Sequence, residues 1–141
     1  MSSTTAPSAA PLSNAFIAEW APRLLSVVRI VVALLFMQHG LQKLFGLLNG
    51  PFQPQAFSLL WFAAIIELLG GVLLLIGLFS RVAAFIMSGE MAVAYFMVHF
   101  PKSIFPAVNG GDAAVLFCFI FLYLAAAGPG PWSIDANRQA R

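Results

Sequence analysis

An all-α membrane protein, a four-transmembrane-helix bundle made of two repeated helical hairpins, is the fold this sequence predicts, and three observations predict it. Of the 141 residues 61% are hydrophobic and 9% charged, at a mean hydropathy of +0.92, far from the usage of soluble domains. The apolar residues gather in four runs, most of them close to the ~20 residues that cross a bilayer core. Third, FMVHFPKSIFPAVNGGD, beginning at Phe96, aligns without gaps on FMQHGLQKLFGLLNG, beginning at Phe36. The alignment pairs His39 with His99, Phe45 with Phe105, and the turn Asn49-Gly50 with Asn109-Gly110.

Taken in order, residues 1–14 are mostly Ser, Thr, Ala and Pro with no charge, too poor in large apolar groups to bury anything, and a disordered tail is expected. They lack the basic start of a signal peptide. The membrane domain is expected over residues 15–135, opening with FIAEWAPR, a short interfacial segment with Trp20 at headgroup level. Spans are predicted at 24–45, 57–79, 82–100 and 112–127. LLNGPFQPQA turns the chain after the first, Ser80-Arg81 ends the second, and Pro101, which lacks an N–H, stops the third. GPGP closes the short fourth, Trp132 follows as an anchor, and residues 136–141 form a tail.

Four spans put both termini on one side. Arg23, Arg81, Arg138 and Arg141 lie on that side, against Lys43 and Lys102 on the other, so the positive-inside bias predicts N-in, C-in. The repeat then becomes a parallel duplication about an axis along the membrane normal, with His39 and His99 as symmetry mates and both Asn-Gly turns outward.

Ionisable residues inside spans cost roughly 2.5 to 3.5 kcal/mol each on insertion scales, so each is expected to face the bundle and to have a partner. Counting about 1.5 Å per residue from the span ends places Arg29, Glu67 and Glu90 together in the inner half, as a charge network. Arg29 is expected to pair with Glu90, with Glu67 as a second candidate. Two carboxylates against one guanidinium leave a proton on one acid, which proton handling needs; the bland alternative is a buried salt bridge that fixes helix order. Glu67 shares a helix face with Gly70, Gly71, Leu74 and Gly77, so it should face protein across a close helix contact. The second polar set, His39, Lys43, His99, Lys102, Asn109 and Asp112, is expected to line one outer-leaflet ligand site. Its alternative is a well-ordered loop in which Asp112 caps the fourth span.

Several chemistries are excluded or disfavoured. A net charge of +2 from few groups gives no nucleic-acid footprint. The single Cys118 allows neither an intramolecular disulfide nor a CxxC relay. No metal-ligand spacing, flavin motif or iron-sulfur motif is present. Two histidines on different helices could ligate a haem, but the neighbouring lysines and Asn-Gly loops suit an anionic or carbonyl-bearing ligand better.

HGLQKLFG at His39, ELLGGVLLLIGLFSR at Glu67, GEMAVAY at Gly89, HFPKSIFPAVNGGD at His99 and GPGPWSID at Gly128 together make the chain resemble the DoxX family of small four-helix bacterial membrane proteins, from about Arg23 to Asp135. Asp112 stands where the family pattern carries a glutamate, which keeps the charge and shortens the reach. The resemblance implies a multi-pass protein of the bacterial cytoplasmic membrane with a redox association. Relatives are linked to quinone reduction by thiosulfate and to complexes with superoxide dismutase and sulfurtransferase partners.

Three functions follow. The first is the membrane subunit of an oxidoreductase that binds a quinone or similar small redox molecule between the hairpins. Phe36, Phe45, Phe96, Phe100 and Phe105 would line the slot, His39, His99 and Lys43 would donate to carbonyl oxygens, and Glu90 or Glu67 would supply protons. A soluble or peripheral redox partner would then deliver the electrons, and the chain alone need not be an enzyme. The second is a small-anion or proton carrier or channel, for which four spans call for a homodimer. The third is a structural subunit whose loops dock a soluble redox partner.

Overall fold

The computed structural model describes residues 12–48 and 53–140. It is all-helical. α1 spans Leu12–Phe45, α2 Leu59–Ile76, α3 Ser80–Ala94, α4 Pro106–Asn109, α5 Asp112–Ala127 and α6 Ile134–Gln139. Three helical stretches are long and apolar enough to cross a membrane, Asn14–Phe45, Leu59–Ile76 and Ser80–His99, and Asp112–Ala127 is a shorter apolar helix. The expected tail up to residue 11 and the Asn49-Gly50 turn lie outside the described residues. From Leu12 onward the chain is helical, so the FIAEWAPR segment is the first part of α1 and not a separate element.

Local chemistry sets the ends. The Ser58 hydroxyl accepts the Trp61 N–H at 3.3 Å and caps α2. Gly77, at φ +71°, closes α2 in the left-handed conformation that glycine adopts without cost. α3 continues through one π-helical turn, Tyr95–His99, in which the Phe100 N–H reaches the Tyr95 carbonyl at 2.9 Å before Pro101 ends the helix.

α1 packs along α2 and α3 along α5, and the two pairs join mainly through α2 and α3. Gly40 allows the first contact: a Cβ there would lie 2.9 Å from the Ala64 carbonyl oxygen and the Leu68 nitrogen. Ala33, Phe36, Leu74, Met87, Phe121 and Leu124 form the centre of the core. Outside it, large apolar side chains such as Leu34, Leu69, Phe85 and Phe119 face outward, the surface a bilayer solvates.

One end of the bundle is a polar clamp. Arg29 is 1% exposed and donates to the Trp132 carbonyl at 2.5 Å, while the Trp132 N–H returns to the Ser26 hydroxyl at 3.1 Å. Asp135 accepts from the N–H groups of Phe79 at 3.0 Å and Ser80 at 2.8 Å, capping α3 from another element. Its own N–H donates to the Gly77 carbonyl at 2.9 Å. Partial burial works against the Asp135 charge, yet the amides it accepts and nearby Arg138 hold its carboxyl below the usual aspartate range. Arg81 donates to the carbonyls of Ala125, at 2.9 Å, and Ala126, neutralising the C-terminal end of α5. The GPGPWSID segment, read from the sequence as a closing turn, an anchor and a tail, is thus a strap across this end. The Pro22–Arg29 stretch of α1 and the C-terminal segment lie there together.

Candidate functional site

Contacts between helices fix which residues share a level. Gly40 sits on Ala64 and Leu68, which brings His39 level with Glu67. Gly70 sits on Met87, which brings Glu67 level with Glu90. An independent route through α5 agrees. The His39 ring lies edge-on to Phe117, with centroids 6.2 Å apart, and the Ser88 hydroxyl donates to the next residue's carbonyl, Cys118, at 2.8 Å. His39, Glu67 and Glu90 therefore form one layer, at the middle of α2 and of the Ser80–His99 stretch.

Within that layer Lys43, one turn past His39, reaches back to pair with Glu67 at 2.5 Å. Glu67 is only 2% exposed, and Gly70, Gly71 and Leu74 on its face are buried with it. The other Glu67 oxygen and both carboxyl oxygens of Glu90 are buried and have no hydrogen-bond partner among the described residues. A buried charge without a partner is strongly unfavourable, so two carboxyls sharing one ammonium call for a proton in the layer. His39 is exposed on the α1 flank that faces α5, where fully buried Phe36 and half-buried Phe117 stack edgewise around it. This arrangement offers an imidazole beside aromatic walls, with an ammonium and an unpartnered buried carboxyl in the same layer. Its position between α1 and α5, the loosest-packed side of the bundle, opens it toward lipid.

Two expectations need correction. Arg29 pairs with neither Glu67 nor Glu90; it lies ten residues before His39, about 15 Å toward the clamp, and Lys43 takes its place beside Glu67. Depth counted from the ends of apolar runs assumed that all spans end in one plane. α1 instead runs on to Leu12, and α2 stops at Ile76, level with Arg29. For the same reason His39 and His99 are not at one depth. His39 is level with Glu90, and His99 lies nine residues farther along, about 13 Å away along the helix.

His99 belongs to the loop itself. Its Nδ1 lies 3.2 Å from the Asn109 carbonyl oxygen, and its ring stacks on Tyr95. Buried Asn109 donates to the Ser103 carbonyl at 2.7 Å and accepts the Gly111 N–H at 2.7 Å. The Tyr95 hydroxyl donates to the Ile104 carbonyl at 3.2 Å. This loop is a self-satisfied knot; Lys102 and Asp112 are exposed on it, the latter in the first turn of α5. The six residues expected to line one site thus divide into His39 and Lys43 in the middle layer and His99, Lys102, Asn109 and Asp112 at the loop end.

A shallow depression at the clamp end, between the start of α3 and α6, lies far from this chemistry. Its charges are already engaged: Asp135 on the α3 amides, Arg81 on the α5 carbonyls and Arg138 over the Phe79 ring at 5.9 Å. Among the described residues no three His, Cys, Asp or Glu side chains gather to hold a metal ion.

The DoxX family profile matches residues 24–100, from the clamp end of α1 through the π-helical turn, and so includes the whole polar layer. The chain belongs to the DoxX family. This DoxX protein is similar to an uncharacterized protein of Haemophilus influenzae, 39% identical over 123 residues that cover 83% of this chain and 92% of that protein. No solved structure matches it. Family membership and the apolar helices make it a multi-pass membrane protein.

Proposed function

We propose that this DoxX protein is the membrane subunit of a redox system and holds the head of a quinone, or a similar small redox molecule, at the α1–α5 flank in the middle layer. The carrying observation is Glu90, a buried carboxyl with no hydrogen-bond partner among the described residues, level with an exposed His39 and the Lys43–Glu67 pair. Reducing a quinone to a quinol takes up two electrons and two protons. The electrons would come from a partner redox protein. His39 would hydrogen-bond one carbonyl oxygen, the Phe36 and Phe117 rings would flank the head group, and the carboxyls behind it would relay protons. In the same reading four helices span the bacterial inner membrane as two hairpins. Arg23, Arg81 and Arg138 lie at the clamp end of the bundle, from which both the α1 extension and the C-terminal segment leave, which supports cytoplasmic termini.

Organic extraction of protein purified in mild detergent tests for the quinone, followed by titration of a short-chain quinone analogue into protein in lipid nanodiscs. His39→Ala is expected to weaken that binding about tenfold, the loss of a hydrogen bond in a low-dielectric site. Unaltered binding in His39→Ala, or no saturable binding by the native protein, contradicts the proposal. The unpartnered carboxyl also favours a second reading, a proton carrier. Proton flux in quinone-free liposomes that Glu90→Gln abolishes would replace the first reading with this one.

A further inference from the structure

α1 presents an exposed apolar face along its length that is interrupted by one amide. On the side turned away from α2 and α5, Leu24, Val27, Val31, Leu34, Gln38 and Phe45 are all exposed. They are spaced alternately three and four residues apart, with half-buried Leu41 completing the interval before Phe45. Trp20 and exposed Ile17 extend the same frame back beyond the clamp. This is a heptad repeat in which every a and d position is apolar except one, Gln38.

Lipid solvates the apolar members of this face but not the amide. Gln38 neighbours His39 in sequence and lies at the same mid-span level, where no water competes for its donors and acceptor. Gln42, one turn on, donates to the Leu48 carbonyl at 3.4 Å; Gln38 has no such neighbour among the described residues. A carboxamide is both donor and acceptor, so its simplest complement is an identical carboxamide across a two-fold axis. Ile17 and Trp20 add a second argument. Arg29 is already level with the end of α2, and Ile17 is a further twelve residues out, about 18 Å beyond it. Apolar side chains in that extension meet water, where burying them is favourable.

We propose that two copies of this chain pair through α1, parallel and two-fold symmetric, with the two Gln38 amides hydrogen-bonded at mid-membrane and the α1 extensions continuing as a short coiled coil. Both copies share one membrane orientation, so the parallel arrangement is the one that sets equal depths side by side. The polar a position fixes register, as a lone amide does in soluble coiled coils. The surface is turned about 100° round α1 from His39 and stands independently of the quinone reading.

The test uses the full chain in phosphatidylethanolamine–phosphatidylglycerol liposomes, in a Cys118→Ser background. Single cysteines replace Val31, Leu34 or, as controls exposed on other helices, Val82 and Phe119. Mild oxidation is expected to give disulfide dimers at the first two positions and none at the controls. Gln38→Leu is expected to raise the dimer dissociation constant about threefold to tenfold, the range of interhelical hydrogen bonds in bilayers, and Gln38→Asn to raise it less. Monomers throughout by single-molecule photobleaching, equal cross-linking at the controls, or unchanged association in Gln38→Leu would overturn the proposal.

Discussion

At the clamp end a buried cation has one partner: Arg29 donates from Nη2 to the Trp132 carbonyl, while its Nε and Nη1 have none among the described residues, and the strap that supplies this carbonyl also caps α3 through Asp135 and lays Gly77 against Ser133. About 15 Å away, in the middle layer, Glu90 keeps both oxygens unpaired among the described residues, level with a Lys43–Glu67 bridge. One bundle thus holds two kinds of buried polar group. Those at the clamp lock the ends of helices. Those in the middle cost stability that the surrounding core must offset.

The comparison breaks most visibly at Gly77. A side chain there needs a left-handed backbone and collides with Arg29 and the Ser133 side chain. Gly77→Val is expected to cost about 4 kcal/mol or more, read as loss of a cooperative thermal transition in detergent. Lys43→Met comes next. It leaves Glu67 buried without its cation and is expected to lower stability by about 3 kcal/mol. Adding Glu67→Gln to the same chain should recover at least half of that in a double-mutant cycle.

Asp135→Ala removes the cap on α3 and is expected to cost about 1 kcal/mol in thermal unfolding. The cap also carries a pH signature. Because the folded Asp135 carboxyl titrates below its unfolded value, its contribution is complete above roughly pH 4 and is lost as the pH falls through the lower, folded pKa. The gap between native and Asp135→Ala melting temperatures should therefore close in acid and stay constant from pH 5 to 8. Glu90→Gln has the smallest expected effect on stability, within about 0.5 kcal/mol or slightly favourable, because it removes the potential charge of an acid that has no hydrogen-bond partner among the described residues.

Much of the fold is written in composition and period. The predicted fourth span coincides with α5, and Gly70, Gly71 and Leu74 bury with Glu67 as their shared face implies. The middle layer was legible only in part. Glu67 and Glu90 announce themselves as acids in apolar runs, but their partner depends on depth, and depth depends on where each helix starts relative to the others. That offset is a tertiary quantity set by close contacts such as Gly40 on Ala64. The histidine repeat misled for the same reason: identical letters imply equal depth only if both hairpins are shifted alike. The strap was hidden because its bonds run from Trp132 to Ser26 and from Asp135 to Ser80, pairs whose separation in sequence carries no periodic signal. GPGP followed by a Ser three residues before Ala136, which it caps at 3.1 Å, was the available sign of a structured end.

The central claim is that Glu90 serves function and not the fold. Stability and short-chain quinone binding measured side by side on Glu90→Gln in nanodiscs, from pH 5 to 9, test it most directly. The account predicts a melting temperature within about 2 °C of native, on the scale of a few tenths of a kcal/mol, together with loss of the pH dependence of quinone binding. A clear fall in melting temperature with binding and its pH dependence unchanged would make Glu90 a structural residue and contradict the account.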